Sequence, residues 1–290
     1  MWSPPGHLPP MSEAAFRRLR ERVYALAGVV LREELAPLLQ RRLSPRLEAL
    51  GLEDFDAYLL HLESGARQAE EQEVLLEAAT THETYFFREP HQLEAFSEEV
   101  LPLLEVARAP ERRLRLWSAG CSSGEEAYTL AMLLEESGRF DGWDVAIYGS
   151  DLSRRMLDRA RSGEYGPAGL RVTSGEARSR HFEQLAPGRW RVRTELRERV
   201  SFAHLNLLDP DGARQLPRMD AIFCRNVLIY MDRPARERVL AVLYERLHEG
   251  GLLMLGHAEN LLSMQTGFEP VSLKRDLVYR RPRREEGGGP

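Results

Sequence analysis

The stretch that decides the fold is LRLWSAGCSSGEEAYTLAMLL, which runs from Leu114 to Leu134. Its apolar first residues predict a buried strand, and a turn rich in Gly and Ser follows. Glu125 and Glu126 then open a strongly helical segment. An open α/β sheet builds a nucleotide site from these three parts, because small residues let backbone N–H groups approach a ligand at a helix N-terminus.

The acidic residues of this turn narrow the class of ligand. A carboxylate at Glu125 would repel a pyrophosphate, but it suits a ribose hydroxyl or a cationic group. The turn also lacks the GxGxxG pattern of dinucleotide sites. These features favour a nucleoside without phosphates, and S-adenosylmethionine (SAM) is the obvious candidate. An ordinary strand-to-helix turn, with acidic residues that complement the helix dipole, explains the turn equally well.

Bulk composition is typical of a globular cytoplasmic enzyme. The 290 residues carry 40 Lys and Arg against 45 Asp and Glu, whereas nucleic-acid binders are usually basic. We find no apolar run of the roughly 18 residues that a membrane span needs. The two cysteines fit neither a disulfide framework nor a zinc site. We therefore expect no metal, no nucleic acid and no membrane insertion, and a monomer is favoured.

The N-terminal part of the chain has a helical pattern. We predict flexible tails at 1–10 and 283–290, and an all-helical domain at 11–80. Gly51 is placed to end one helix and Asp54 to cap the next. A linker segment with a bridging helix that starts near Pro90 follows at 81–111.

From residue 112 to residue 282, strand and helix patterns alternate. Alternation with short connections predicts an α/β domain with a doubly wound, mainly parallel sheet. Residues 165–199 break this rhythm and are interpreted as a small inserted α+β subdomain, with a helix near Ala177–Leu185. The predicted strands are Leu114–Ser118, Val145–Ser150, Val200–Leu205, Ala221–Cys224 and Leu252–Gly256, and the predicted helices are Glu125–Ser137, Ser153–Ser162 and Pro234–Leu247.

Polar residues follow the second and third strands at the sheet edge where ligands bind. Asp151 is placed to accept hydrogen bonds from ribose hydroxyls, although capping of the next helix also explains it. After the third strand, Asn206 could bond the adenine edge while Leu207 packs on the ring. An Asn at a strand end is usually a turn residue, so this second indication is weaker.

The loop after the fourth strand, within DAIFCRNVLIYMD (220–232), completes the candidate site. Arg225, Asn226 and Tyr230 emerge there from a buried strand, and polar residues in that position need partners. A loop that simply packs Val227 and its apolar neighbours is the alternative. The loop lacks the two prolines that are frequent in adenine N6 methyltransferases, which argues against that class.

A further motif, TTHETYFFREPHQLEAF (80–96), precedes the sheet. If this segment is helical, Thr84 and Arg88 lie on the same face at i, i+4. An Arg held among aromatic residues suits an anionic group. Composition alone favours a plainer interpretation, in which the aromatics fill a core and Arg88 pairs with Glu89 or Glu83. The pattern is not HExxH, so a zinc protease is excluded.

Taken in order, the motifs resemble those of the CheR-type chemotaxis methyltransferases. The similarity extends from about Met11 to Arg280. It implies a Rossmann-like, SAM-dependent methyltransferase domain that esterifies glutamate side chains on the cytoplasmic signalling helices of chemoreceptors and releases S-adenosyl-L-homocysteine. The motifs are THETYFFRE, LWSAGCSSGEEAYTLAM, YGSDLS, NLLD, CRNVLIYM and GGLLMLGHAE.

The resemblance also assigns roles by motif. It implies that Arg88 and Tyr230 lie at the reacting centre. A glutamate carboxylate is already ionised near pH 7, so our hypothesis is that these two residues orient the reacting groups rather than move protons. The resemblance places Glu125 at the cofactor's amino group, Asp151 at the ribose, and Asn206 and Leu207 at the adenine. The other implied cofactor contacts are His82, Thr84, Arg88, Gly120, Asn226 and Val227, of which His82 occupies a position that is often Asn in the family.

Receptor recognition is expected on the second helix. Arg41, Arg42 and Arg46 place positive charge there, and the resemblance implies contact with the acidic methylation region of the receptor. A solvated basic face is the common alternative. The short EQLAPGRWRVR segment (183–193) has one Gly, unlike the longer Gly-rich loop of family members that tether to a receptor C-terminal peptide. We therefore expect no tether.

Two other functions remain open. A methyltransferase that acts on a small-molecule carboxylate would not need a basic helical domain. A non-catalytic signalling module that only binds SAM would not need Arg88 and Tyr230.

Overall fold

The computed structural model describes residues 10–64 and 68–283. The contacts divide the chain into two compact units. The first contains the residues up to Thr81 together with Tyr230–Ala235, and the second contains His82–Ile229 and the residues from Arg236 onward. The predicted flexible tails lie almost wholly outside the described residues. No helix in the described ranges is both long and apolar enough to span a membrane.

The first unit is built from helices, as the apolar periodicity predicts. Phe16, Leu19 and Val23 line the buried face of the first helix, and Leu39, Leu43 and Leu47 line that of the second. A 3-10 turn at Glu33–Leu35 leads into the second helix, and Leu35 stays exposed. The helices are α1 (Glu13–Ala27), α2 (Ala36–Leu50), α3 (Phe55–Ser64) and α4 (Gln68–Ala79).

Local sequence signals set the ends of these helices. Ser12 Oγ accepts a hydrogen bond from the Ala15 N–H and begins α1. Gly51 ends α2 in the left-handed region, and Asp54 accepts from the Ala57 N–H at 2.8 Å to begin α3. Both of these predicted caps are confirmed.

The segment Tyr230–Ala235, which is distant in sequence from the other residues of the helical unit, belongs to that unit. Met231 forms an isolated antiparallel bridge with Val29, and the Val30 N–H donates to the Tyr230 carbonyl at 2.8 Å. The Tyr24 hydroxyl donates to the Asp232 carboxylate at 2.9 Å. Residues about 200 positions apart in sequence therefore pack together.

The second unit contains a seven-stranded sheet in the order β6-β2-β1-β7-β8-β10-β9. Its first five strands pair in parallel, which confirms the predicted α/β class. β9 and β10 form an antiparallel edge that the sequence did not indicate. The strands are β1 (Arg113–Ala119), β2 (Asp144–Asp151), β6 (Val200–His204), β7 (Met219–Cys224), β8 (Leu247–Leu255), β9 (Glu269–Ser272) and β10 (Leu277–Arg280).

Helices flank this sheet close to their predicted positions. The predicted bridging helix is divided by a π-helical segment at Phe96–Val100. This segment ends two residues before Pro102, which has no backbone N–H to donate. Its apolar residues are buried as expected. The helices are α5 (Pro90–Ala95), α6 (Leu101–Arg108), α7 (Glu125–Ser137), α8 (Arg154–Ser162), α11 (Pro210–Arg214) and α12 (Arg233–Arg246).

The inserted region forms its own small sheet in the order β3-β5-β4. The helix predicted near Ala177–Leu185 is wrong in its second half, because the chain leaves the helix at His181 and pairs with β5 from Phe182 onward. Phe182 is buried against the ring of Phe86, with centroids 4.9 Å apart. Tertiary packing therefore overrides helix periodicity here. The elements are β3 (Glu164–Tyr165), α9 (Gly175–His181), β4 (Phe182–Ala186), β5 (Arg189–Val192) and α10 (Thr194–Arg197).

Candidate cofactor site

The loop between β1 and α7 is tied to the carboxyl end of β2. The N–H groups of Gly120 and Cys121 both donate to the Ser150 carbonyl, at 2.8 and 2.9 Å. The Ser122 N–H donates to Asp151 at 2.8 Å. These bonds bring the turn of small residues and Asp151, the predicted ribose ligand, together at the edge of the sheet.

Gly120 is held in a conformation and a space that exclude a side chain. Its φ is +81°, and an added Cβ would lie 2.5 Å from Cγ2 of Val227. Val227 follows β7, which neighbours β1 in the sheet. The structure therefore brings together two predicted cofactor residues that are 107 positions apart in sequence.

Glu125, the first residue of α7, is almost completely buried, with 3% of its surface exposed. The Ser123 hydroxyl lies 2.8 and 3.0 Å from its two carboxylate oxygens. Burial raises the pKa of the Glu125 carboxyl, and the charges of Arg159 and Arg171 oppose that rise only in part. A carboxylate has about four acceptor positions, so Glu125 can still accept from an ammonium group. This buried acceptor fits the amino end of SAM.

Asp151 ends β2 and supports the same loop. Its second carboxylate oxygen accepts from the Ser153 N–H at 2.9 Å, while Ser153 itself caps α8. Two main-chain bonds therefore orient the carboxylate and leave acceptor positions for hydroxyl groups. The capping role falls to Ser153, and the ribose role of Asp151 stays a prediction.

The predicted adenine contacts lie after β6, the strand that pairs with β2. Asn206 Oδ1 accepts from the Leu208 N–H at 3.0 Å, so the residue also shapes a turn. Leu207 is 7% exposed. Because β6 and β2 are parallel neighbours, these residues and Asp151 share one edge of the sheet. Their contact with adenine stays a prediction.

The segment from Thr84 to Arg88 is not helical, so the condition under which these two residues would share one helical face is not met. Phe87 and Glu89 adopt φ values of +58° and +57°, which no helix accommodates. Phe86 is fully buried with its ring 4.7 Å from that of Tyr165. Packing of this aromatic anchor fixes the segment as an irregular turn.

Arg88 is partly exposed and held by its own segment. Its Nη1 donates to the Glu83 carbonyl at 2.7 Å, and its Nε lies 4.0 Å from a Glu89 carboxylate oxygen. The neighbouring His82 approaches the cofactor loop through its carbonyl, which lies 3.5 Å from the Ser122 hydroxyl. Of the two pairings considered for Arg88 from composition, the one with Glu89 is present, whereas Glu83 contributes only its main-chain carbonyl and its carboxylate pairs with Arg171 at 3.0 Å.

Sequence reasoning placed Arg225 in the loop that completes the candidate site without giving it a specific role, and the structure shows that this residue connects the parts of the site. Its side chain is only 3% exposed. Its guanidinium donates to Gln92, Glu126 and Glu89, and to the Arg88 carbonyl at 2.7 Å. A cation directly after a buried strand was the available signal, because such a residue must find partners inside the protein.

Asn226 and Glu259 complete this connection, which we call the Arg225 cluster (Glu89, Gln92, Glu126, Arg225, Asn226 and Glu259). Asn226 has a φ of +59° and donates to Glu89 at 3.1 Å. Glu259 accepts the N–H groups of Asn226, Val227, Ile229 and Gly256 at 2.7 to 3.2 Å. Glu259 therefore holds the loop that carries Asn226 and Val227.

The pKa values of these carboxyls reflect burial and charge. Burial raises the pKa of Glu259, and its main-chain donors only partly offset this. Burial acts in the same direction on Glu89, but the charge of Arg225 and the hydrogen bonds from Asn226 and the His257 N–H outweigh it. The pKa of Glu89 is therefore below its usual value.

Tyr230 belongs to the helical unit, where its carbonyl accepts from Val30. Its side chain is 38% exposed. Its assignment to the reacting centre stays a prediction.

The three arginines predicted to contact the receptor differ in their surroundings. Arg46 forms an ion pair with the buried carboxylate of Glu71, with a shortest distance of 2.5 Å. Arg42 donates to the carbonyls of Ala78 and Thr80 at the end of α4. Arg41 is exposed. Arg46 therefore stabilises the helical unit, whatever else it does.

Two family models and a set of relatives match this chain. The family described as CheR methyltransferase, SAM binding domain, matches residues 82–277, and its all-alpha domain matches residues 14–80. A chemotaxis protein methyltransferase of Klebsiella aerogenes is 38% identical over 93% of this chain and 90% of its own length. Chemotaxis protein methyltransferase 2 of Pseudomonas aeruginosa is 40% identical over 85% of this chain and 86% of its own.

A third relative carries a different name. The probable biofilm formation methyltransferase WspC of Pseudomonas putida is 37% identical over 91% of this chain and 60% of its own length. The matches cover the helical unit, the sheet and the loops that gather Gly120, Glu125 and Asp151 at one edge. This chain therefore belongs to the CheR methyltransferase family, and SAM is its cofactor.

Proposed function

We propose that this protein transfers the methyl group of SAM to glutamate side chains of chemoreceptor signalling helices and forms glutamate methyl esters. The observation that carries the proposal is identity of 38% to a protein named as a chemotaxis methyltransferase, over both units. The geometry agrees with it, because the Arg225 cluster holds Arg88 close to the loop that meets Gly120. A cation at that edge suits an anionic substrate side chain.

The residues present can perform this transfer without a general base. A glutamate carboxylate is ionised near pH 7 and is itself the nucleophile. Bound SAM would supply the electrophilic methyl group, and the products would be the glutamate methyl ester and S-adenosylhomocysteine. The task of the chain is alignment of the two groups and exclusion of water. Arg88 orients the carboxylate in this proposal, and Tyr230 is the second orienting residue.

The same proposal distributes the cofactor contacts over the chain's own residues. Glu125 accepts from the amino group, and Asp151 accepts from the ribose. Asn206 and Leu207 contact the adenine. Thr84 and Arg88 lie at the methionyl end, and the remaining contacts are His82, Gly120, Asn226 and Val227.

Transfer of labelled methyl groups from SAM to purified receptor fragments tests the function. We expect a base-labile protein label from the wild type and none from Arg88→Ala, with cofactor binding measurable in both. Arg139→Ala is the control, since Arg139 is an exposed arginine paired with Glu105. Label on small carboxylic acids but not on receptor would favour the small-molecule enzyme. Cofactor binding without any transfer would favour the non-catalytic module, and near-normal transfer by Arg88→Ala would reject the role of that residue.

We place receptor recognition on the exposed basic side of α2 and test it at Arg41. Arg41→Glu is expected to raise the KM for receptor several-fold and to leave the affinity for SAM unchanged. Arg17→Glu makes the same charge change at an exposed position of α1 and is the control. Equal effects of the two variants would show that net charge, and not this surface, matters. Arg42 and Arg46 are less suitable, because both have intramolecular partners.

We also propose that methylation needs no receptor C-terminal peptide. Only Pro187 and Gly188 connect β4 and β5, which supports the expectation drawn from the short loop. A receptor without its C-terminal peptide should be methylated at the full rate. Micromolar binding of the isolated peptide would contradict this proposal.

A further inference from the structure

A cavity of about 420 Å³ lies at the end of the sheet opposite the cofactor loops, and we call it the basic cavity. Arg218 directly precedes β7 and His248 is the second residue of β8, whereas Arg225 follows the carboxyl end of β7. The volume of the basic cavity is within the range of roughly 300–1,000 Å³ that is typical of small-molecule sites. The basic cavity is lined by Arg108, Arg218, His248, Glu249 and Arg281.

A second cavity, of about 570 Å³, adjoins it through Arg108 and Glu249 and adds Arg283 to the lining. Gly250 makes this arrangement possible, because its φ is +79° and an added Cβ would lie 3.1 Å from Arg283 Nε. Main-chain bonds of 2.8 and 2.9 Å join Arg281 to Gly250 and Gly251. The chain after β10 is thereby fixed beside the start of β8.

The two cavities concentrate positive charge in a chain whose net charge is −5. Four lining arginines face two lining carboxylates, Asp220 and Glu249, which leaves a net charge of +2 with His248 neutral. The carboxylate of Asp220 already has partners within the protein. It pairs with Arg108 at 2.5 Å and accepts from the Arg115 N–H at 2.8 Å. The excess positive charge therefore faces the cavities.

Main-chain carbonyls hold the guanidinium groups without neutralising them. Arg218 donates to the Leu247 carbonyl at 3.1 Å, and Arg281 donates to those of Tyr244 and Leu247 at 2.9 Å. Arg281 Nε is buried and has no hydrogen-bond partner among the described residues. Guanidinium groups held in fixed positions suit the planar, bidentate recognition of an oxyanion.

We propose that the basic cavity binds a small molecule through a phosphate or diphosphate group. Every residue that lines the basic cavity is charged or ionisable, and so the cavity fits a compact anion better than a base or an apolar peptide side chain. A dianionic phosphate matches the net charge of +2. It would also stabilise arginines that now repel one another across the cavity. The site is distinct from the cofactor loops and does not depend on the proposed methyl transfer.

His248 provides an internal reporter of such binding. Burial lowers its pKa, and the charges of Arg108, Arg218 and Arg113 lower it further, while Asp220 acts in the opposite direction. Glu249 and Arg281 line the same cavity. A bound anion would offset the arginine charges, so the pKa of His248 should rise when the site fills.

The test is isothermal titration of the full chain with pyrophosphate and with orthophosphate at constant ionic strength. We expect saturable binding by the wild type. Arg218→Gln should weaken it about tenfold or more, because one charge-assisted hydrogen bond is lost. Glu249→Gln should tighten it several-fold, a gain that misfolding cannot imitate. Arg161→Gln is the matched control, since Arg161 also donates to a main-chain carbonyl but lies on α8.

An NMR titration of His248 in the presence and absence of pyrophosphate gives the second readout, and its pKa should rise. The absence of saturable binding would overturn the proposal. Equal weakening by Arg218→Gln and Arg161→Gln would show non-specific ion binding only and would also overturn it. Binding to phosphatidic acid vesicles without binding to either free phosphate would assign the surface to a membrane headgroup instead.

Discussion

At the scale of single residues, one Cβ decides how closely the cofactor loop approaches the loop after β7. Gly120→Ala should strain a φ of +81°, at a cost of roughly 1–2 kcal/mol, and should push against Val227. We expect the affinity for SAM to fall at least tenfold in calorimetric titration. Gly138→Ala is the control, because its φ is +62° and an added Cβ meets nothing within 4 Å.

The contribution of the clash can be separated from that of the backbone. Val227→Ala in the Gly120→Ala background should recover part of the lost stability, since the short contact is removed while the strained φ remains. If Gly120→Ala and Gly138→Ala have the same effect on the affinity for SAM, then Val227 does not limit this approach.

We expect the buried carboxyl group of Glu125 to make cofactor binding depend on pH. Its folded pKa is raised above 4.5, and an ammonium group is stabilised only by the ionised carboxylate. Affinity for S-adenosylhomocysteine should therefore fall as the pH decreases from about 8 to about 5. Glu125→Gln should bind more weakly and show a flatter profile, while Asp141→Asn, at an exposed position, should follow the wild type.

The unliganded protein should respond to pH in the opposite sense at this residue. A raised folded pKa contributes stability that is complete below the unfolded pKa and is lost as the pH rises through the folded pKa. Mild acidification should thus stabilise the free protein through Glu125 while it weakens ligand binding. A cofactor affinity that does not change with pH in the wild type would remove Glu125 from the amino-group site.

At the scale of elements, we expect the ion pair between Arg46 on α2 and Glu71 on α4 to contribute to the free energy of unfolding of the helical unit. Glu71 is 2% exposed and Arg46 is partly exposed, which places the pair between surface and buried cases. Arg46→Met should lower the free energy of unfolding by roughly 2 kcal/mol, because a buried carboxylate loses its partner. Urea unfolding of the full chain measures this.

Arg41→Met on the same helix is the control, with an expected change within about 0.5 kcal/mol. Arg46→Met combined with Glu71→Leu should recover most of the loss, since no unpaired charge remains. Equal destabilisation by Arg46→Met and Arg41→Met would show that the ion pair contributes nothing measurable.

Element prediction succeeded where one local signal dominated. The strand before residue 120 follows from an apolar run and helix α7 from a strongly helical pattern, and Gly51 and Asp54 mark helix ends correctly. It failed where a partner distant in sequence decides the conformation. Phe182–Ala186 becomes a strand because β5 is there to pair with it, and β9 and β10 are short strands that form one antiparallel edge.

At the scale of the whole molecule, we expect two carboxyl groups to make the stability of the fold sensitive to acid. Arg46 lowers the pKa of Glu71 against the effect of its burial, and Arg225 does the same for Glu89. Groups with lowered folded pKa values contribute stability above their ordinary value of 4.5, and lose it as the pH falls through the folded value. The Tm should therefore decrease steeply below about pH 4.5.

Glu71→Gln should have a lower Tm at neutral pH but should lose less of it on acidification. Glu48→Gln, at an exposed position of α2, is the control and should follow the wild type throughout. Identical pH profiles for Glu71→Gln and the wild type would exclude Glu71 as a source of the acid sensitivity.

The sequence by itself determined the α/β class, the helical domain, the cofactor and the family, because each depends on local periodicity or on motifs read in order. It also singled out Gly120, Glu125 and Asp151 as candidate cofactor residues, because they lie in the turn after the first predicted strand, at the start of the following helix and at the end of the second strand. Only the tertiary structure decided that Thr84 and Arg88 lie on an irregular turn and that Arg225 joins this turn to the loop of Asn226. The partners of a buried charge are the groups close to it in space, and the order of residues in the sequence does not show which groups those are.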